Sequence, residues 1–381
     1  MNFQKLIEAT FQNFAFWSVL LAAIVIIGVG YFIEKKKIIA SGWEKVLSRI
    51  DLVIAIPALA LNSFMVDTKG IEIGEILIII LIGFVFYVPM TFLAKYFFLK
   101  SNMSRTLSLS MVVVLPAGLF FGFPILNAAF SSAQDQKVIG IITSVFQISF
   151  WIFLATAAQH FFQKPIIEKT DNLAVAHERK YKFTWNWKSI KPFISNPVLG
   201  ASLIGFTLWI FQLIPGIDFV PSLADPSKYV SITRFDQYIP GFDKILKLIS
   251  ALAAPLAWLA IGVTIGKVVW KVALKQKIVW YAVGLKNILV PFIFFLITAF
   301  FAWIGKASGG YRITIMSYMA IMSIIASPTA TALVSYAILN KREPELVSQS
   351  ISFSILFSFI SLPLWMVFGT SLALEMNVFL A

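Results

Sequence analysis

Long apolar runs separated by short polar connections make up most of the chain. Runs of about 17–25 residues, the length that crosses a bilayer as a helix, recur at 13–33, 50–66, 75–94, 107–130, 138–162, 195–215, 246–266, 278–304, 314–338 and 346–372. Each is predicted as a spanning helix, so the fold class is an all-α polytopic membrane protein with ten spans. The first run follows "MNFQKLIEAT", which lacks a basic leading region, and it extends from about Phe14 to Phe32 without a small-residue cleavage signal. It reads as an uncleaved first span.

Two runs carry helix breakers in their middles. The fourth contains "VLPAGLFFGFPILNAAF", with Pro116 and Pro124 on either side of Gly118 and Gly122; the ninth contains "ASPTATALVSYAILN", where Pro328 precedes small and hydroxyl residues. Proline removes a backbone donor and glycine weakens helix. In a bilayer core, non-helical backbone persists only where protein or a water-filled cavity supplies its hydrogen bonds. Two broken spans that cross at mid-depth can supply each other, and Gly118, Gly122, Ala326 and Thr329 are small enough for close approach. The crossing, with Gly122 and Pro124 as structural elements of it, is the expected arrangement; the alternative is that each proline only kinks its span. The half-helix ends at a crossing present partial charges, N-terminal ends favouring anions and C-terminal carbonyls favouring cations.

Composition agrees with a membrane protein: 59% of the 381 residues are hydrophobic, 13% are charged, and 37 are phenylalanine, with a mean hydropathy of +0.86. A net charge of +13 would suit nucleic acid, but the basic residues cluster between apolar runs, where the lipid headgroup layer is their partner. The odd-to-even connections "EKKKIIASGWEKVLSR", "KYFFLKSNMSR", Lys164 to Lys191, "KVVWKVALKQK" and "NKREPE" hold 21 of the 31 basic residues. Positive-inside reasoning puts these connections in the cytoplasm and both termini outside. The longest of them, 164–191, separates two halves of five spans, 1–163 and 192–381. Five is odd, so the halves enter the membrane in opposite senses, as in the inverted repeats of secondary transporters. The breaks fall in the fourth span of each half. With no cysteine there is no disulfide, thiolate metal site or cysteine nucleophile.

Intramembrane polar residues are costly and tend to be functional. Lys286 lies about 8 residues, or about 12 Å at helical rise, into span 8. It is either a lysine whose stem snorkels to the inner headgroups or a fixed charge that attracts an organic anion or neutralises a carboxylate. Asp51, two residues from Arg49, reads as a surface carboxylate near Arg49 and Lys45 or as a proton or cation site; Asp51, Ser350 and Ser354 are the ion-coupling candidates. Asn62, Gln147 and Asn287 can hydrogen-bond a carboxylate, and a buried amide has four such sites to satisfy. Ser327, Thr329, Thr331 and Ser352 offer hydroxyls near the second break, although serine and threonine also serve helix packing. "GVTIG", Gly262 to Gly266, is a close-packing motif rather than a phosphate loop.

Several of these stretches resemble the auxin efflux carrier family, which includes the plant PIN-type carriers and bacterial malate permease-like proteins. "LPAGLFFGFPIL" is similar to its fourth-span Leu-Pro-Asn-Thr-x-x-x-Gly-x-Pro motif, and "FQISFW" to its fifth-span Gln-x-x-x-Trp. "IPALALNSF", "SNPVLGASLIG", "LKNILVP" and "ASPTATALVSYAILNKREPELVSQSISFSILFSFISLPLW" match further along. The resemblance implies two inverted five-span repeats, a scaffold bundle of spans 1, 2, 6 and 7, a transport bundle of spans 3–5 and 8–10, elevator-like motion, and a homodimer through the scaffold. It also implies a substrate site beside the crossing, at Asn62, Pro116, Ala117, Gly118, Gln147, Lys286, Pro328 and Thr329. Where many plant members carry Asn after the first crossover proline, this chain has Ala117.

No enzyme signature is present: His160 and His177 stand at a span end and in the central connection, without a metal-ligand or nucleophile pattern. No cofactor, metal or nucleic acid is expected. The expected activity is secondary transport of a small organic anion, malate or a related carboxylate, driven by the membrane potential or a proton gradient. A sodium-coupled anion symporter is the alternative, and a non-transporting membrane sensor is the reading from another class.

Overall fold

The computed structural model describes residues 14–40, 42–67, 72–118, 121–130, 133–153, 197–331, 333, 334, 337 and 342–380. The central connection 164–191, His160 and His177, the end of span 5, the start of span 6 and positions 332, 335, 336 and 338 of span 9 lie outside the described residues.

The apolar runs form helices, as their length and composition dictate. Helix α1 is Phe14–Lys35. Helix α2 (Trp43–Ile50) passes through a π-helical turn, Asp51–Ala55, into α3 (Ile56–Phe64). Helix α4 (Ile73–Leu93) is prolonged by a 3₁₀ turn to Phe98. Span 4 divides into α5 (Met103–Val114) and α6 (Gly122–Ala129), and α7 follows at Ala133–Phe153. After α8 (Pro197–Phe211), a short hairpin pairs β1 (Asp218–Pro221) antiparallel with β2 (Tyr229–Ser231), Asp218 opposite Ser231 and Pro221 opposite Tyr229. Then come α9 (Phe235–Tyr238), α10 (Phe242–Ser250), α11 (Ala253–Gly266) and α12 (Trp270–Ala273). Helix α13 (Lys277–Gly284) runs through a second π-helical turn, Leu285–Leu289, into α14 (Val290–Ser308). Helices α15 (Ile315–Ile325) and α16 (Pro344–Glu375) complete the chain.

Among the described residues, six helices are long and apolar enough to cross a membrane: Trp17–Lys35, Trp43–Phe64, Ile73–Phe98, Phe242–Gly266, Lys277–Ser308 and Pro344–Glu375. They expose apolar side chains that a water-soluble bundle would bury, such as Leu21 and Ile24 on the first and Leu77 and Leu81 on the third. On α16, Ser350, Ser352, Ser354, Ser358 and Ser361 are buried, whereas Leu356, Ile360, Leu364 and Phe368 are exposed. Hydrocarbon solvates the leucines at no cost, so the hydroxyls turn inward to find partners.

Both π-helical turns have the same local cause. The N–H of Ile56 reaches back to Asp51 O, and that of Val290 to Leu285 O. In each case a proline comes next, Pro57 and Pro291. A proline ring collides with the carbonyl four residues back; one wide turn relieves the collision without ending the helix.

Packing follows small residues. Helices α1 and α11 lie against each other so closely that a Cβ on Gly262 would strike the Ile27 carbonyl, and one on Gly30 the Leu259 carbonyl. "GVTIG" is thus a packing motif, as expected. Helix α8 packs on α3, α4 on α7, and α15 on both α7 and α16.

Candidate functional site

The two broken spans meet. Leu115 still bonds Met111 O in the helical manner, but Pro116 has no N–H and so releases the carbonyl of Val112. The Thr329 hydroxyl donates to that carbonyl at 2.7 Å. Ala117 N–H then leaves the helical ladder and donates to Pro328 O at 2.7 Å, while Ala330 N–H donates to Leu115 O at 3.0 Å. Pro116 and Thr329 face each other in a one-pair antiparallel bridge. The reading in which the prolines merely kink their spans is overturned: each break supplies the other's missing backbone partners.

Close approach depends on two of the glycines. A Cβ on Gly118 would collide with Ile324, and one on Gly122 with the Ser323 carbonyl and Ser327 Oγ. Pro124 has a different role from the one expected of it. It is the third residue of α6, in the first turn, where a missing N–H leaves no helical bond unmade. It opens the second half-helix and does not break the first.

The other break is finished by side chains from α16 and the second π-helical turn. In a continued helix, Thr329 N–H would take Ile325 O; it donates instead to Ser354 Oγ at 3.2 Å. Ile325 O receives the Lys286 ammonium at 3.0 Å, and that lysine is fully buried. Ser354 Oγ donates onward to Asn287 Oδ1 at 2.9 Å. Asn287 Nδ2 donates to Ser354 O and to Ser358 Oγ, both at 3.0 Å. Pro291 releases the Asn287 carbonyl, and the Trp365 indole N–H takes it at 2.9 Å. A continuous chain of polar contacts therefore runs from the crossing backbone into α16 and the π-helical turn.

Of the expected site residues, Pro116, Ala117, Gly118, Pro328 and Thr329 come together, with Lys286 and Ser354 one contact away. The snorkelling reading of Lys286 is overturned by its complete burial and its bond to Ile325. Asp51 is buried too, in the first π-helical turn, with Oδ1 unpartnered among the described residues. It is not the surface carboxylate near Arg49 and Lys45. Gln147 Oε1 and Thr143 Oγ1, one turn apart on α7, are buried without partners among the described residues, as is Ser350 Oγ on α16. Asn62 sits half-buried on α3, which packs on α7; among the described residues, neither Asn62 nor Gln147 bonds to the crossing. Buried polar atoms left open are the groups that water or a polar ligand completes.

Sequence reasoning missed Ser358, Trp365 and Glu75. Glu75 Oε1 accepts from Thr314 N–H at 2.7 Å and from the Thr314 hydroxyl at 2.9 Å, placing a carboxylate at the start of α15. The proline four residues after Asn287 was the available signal for Trp365, because it announces a free carbonyl. Nothing near Glu75 in sequence announces Thr314.

A chain of apolar helices whose two breaks pair inside the bundle and gather a buried lysine is built as a membrane transporter. The sequence matches the family described as membrane transport protein over residues 16–366. The chain belongs to that family, the auxin efflux carriers, and is a multi-pass membrane transport protein, not an enzyme. The comparison with curated proteins gives no match.

Proposed function

We propose that this chain is a secondary carrier moving a small organic anion, malate or a related carboxylate, across the plasma membrane by elevator-type alternating access. The observation that carries the reading is Lys286. Its ammonium is fully buried beside the crossing, and among the described residues no carboxylate lies within 4.0 Å of it. A buried charge is expensive unless paired, and a substrate carboxylate is the missing counter-charge. The open hydrogen-bonding atoms of Gln147, Thr143 and Ser350, with Asn62 on the facing helix, suit the rest of such a molecule.

The architecture proposed with it is two inverted repeats, 1–163 and 192–381, joined by the basic linker 164–191. Spans 1, 2, 6 and 7 form a scaffold, and spans 3–5 and 8–10 move. Support comes from the pairing of α1 with α11 and α3 with α8 on one side, and of α4 with α7 and α15 with α16 on the other. Both termini lie outside in this reading, and scaffolds pair in a homodimer. The driving force is the membrane potential or a proton gradient. An inside-negative potential pushes an exported anion outward by about 2.3 kcal/mol per charge per 100 mV.

Proteoliposomes loaded with radiolabelled malate test it. Efflux should accelerate when a potassium diffusion potential makes the interior negative, and unlabelled dicarboxylates outside should exchange with the label. Absence of flux for every mono- and dicarboxylate under proton, sodium and voltage gradients overturns the proposal.

A further inference from the structure

We infer that the Lys286 ammonium is a tethered cation, standing at the carbonyl end of the broken helix α15 where a carrier would otherwise bind a dissolved one, so that this chain works without sodium or another metal cation. The inference rests on the reading of the crossing as the transport site. C-terminal ends of broken helices carry negative partial charge and are the positions at which carriers hold coupling cations.

The two carbonyl ends at this crossing are finished differently. That of α5 is closed by neutral donors, the Thr329 hydroxyl on Val112 O and the Ala330 N–H on Leu115 O. That of α15 receives the Lys286 side chain, Nζ on Ile325 O at 3.0 Å, a group that brings a full charge in its ammonium form. A hydroxyl suffices at the first end, so hydrogen bonding alone does not require an ammonium at the second. What the lysine adds is its charge. Its placement follows from the π-helical turn Leu285–Leu289 that precedes Pro291: the wide turn inserts one residue, and so rotates the face carrying Lys286 by about 100° relative to α14. The charge is thereby aimed at α15 and away from lipid.

Thermal unfolding of the detergent-purified protein in sodium, lithium, potassium and choline chloride at equal ionic strength tests the assignment without any substrate. The wild type should melt at one midpoint in all four salts. Lys286→Ala should melt about 2–6 °C lower, and sodium or ethylammonium, but not choline, should restore part of the loss; Lys286→Met, which fills the space with a neutral stem, should fall without rescue. A sodium-selective rise in the wild-type midpoint overturns the inference. So does a Lys286→Ala protein that melts like wild type, or one that no small cation restores. If neither variant can be purified, the wild-type salt series together with malate flux in sodium against choline decides: equality in both supports the inference, and sodium dependence in either overturns it. Loss of malate flux with the melting pattern intact would sink the carrier reading and leave the cation assignment standing.

Discussion

Thr329 makes two bonds that close the crossing: its N–H donates to Ser354 Oγ and its hydroxyl to Val112 O. Thr329→Val keeps the volume and deletes only the hydroxyl, leaving a fully buried carbonyl unpaired at a cost of about 1–3 kcal/mol. Thr329→Ser keeps the bond and loses a methyl, at about 1 kcal/mol. A melting series should therefore rank wild type above Thr329→Ser above Thr329→Val. If valine were as stable as serine, the hydroxyl would not be closing the helix end. Asn287→Leu should be more damaging than either, since it removes at once the acceptor of the Ser354 hydroxyl and the donor to Ser354 O and Ser358 Oγ, and its effect should be strongly non-additive with Ser354→Ala because the two side chains share one bond. The sequence made Thr329 visible as a small polar residue after a proline. It did not reveal the acceptor, because Val112 lies 217 positions away and nothing in a local pattern encodes that distance. Lys286 was visible as a charge in an apolar run; its target was hidden for the same reason.

At the scale of helices, the prolines and the two crossing glycines were legible. Gly118 and Gly122 read as breakers small enough for close approach, and the structure uses them as clearance against α15. Gly122→Ala places a methyl against the Ser323 carbonyl, a backbone atom that cannot swing aside, so the two elements must part; about 1–3 kcal/mol is the expected loss. Gly28 in α1 and Gly200 in α8 have nothing within 4 Å of an added Cβ. Alanine at either should be neutral or stabilising by up to about 1 kcal/mol. Midpoints for the three variants, measured side by side, check this; equal behaviour would mean the crossing has slack. Element boundaries were read from hydropathy, and so fell short where a helix outruns its apolar stretch. Span 2 was expected to start at 50, yet α2 starts at Trp43, because "WEKVLSRI" is amphipathic and a hydropathy window discounts its charges. The π-helical turns and the β-hairpin have no apolar signature and were not foreseen.

At the scale of the molecule, Arg234 ties the region after the hairpin to the end of α3. Its guanidinium is almost wholly buried, and grips Asp236 through Nε and Nη2, both at 2.8 Å, and Asp67 through Nη1 at 2.6 Å. Burial alone would lower its pKa, but the hydrogen bonds and charges of Asp236 and Asp67 outweigh that and raise it, so the group stays charged. Asp236 has 4% of its side chain exposed and Asp67 has 71%. Asp236→Asn should accordingly cost about 3 kcal/mol and Asp67→Asn about 0.5 kcal/mol, a contrast that melting of the two variants would expose. The pairing of Pro116 with Thr329 reaches further, into biosynthesis. When the first half leaves the ribosome, the acceptor at Val112 waits for a donor 217 residues downstream, about 10–40 s of synthesis at ordinary elongation rates. Through that interval the nascent chain holds an open gap in hydrocarbon, a natural target for insertase shielding and quality-control proteolysis. A fragment ending at residue 163 should be degraded quickly in cells and survive only when 192–381 is co-expressed.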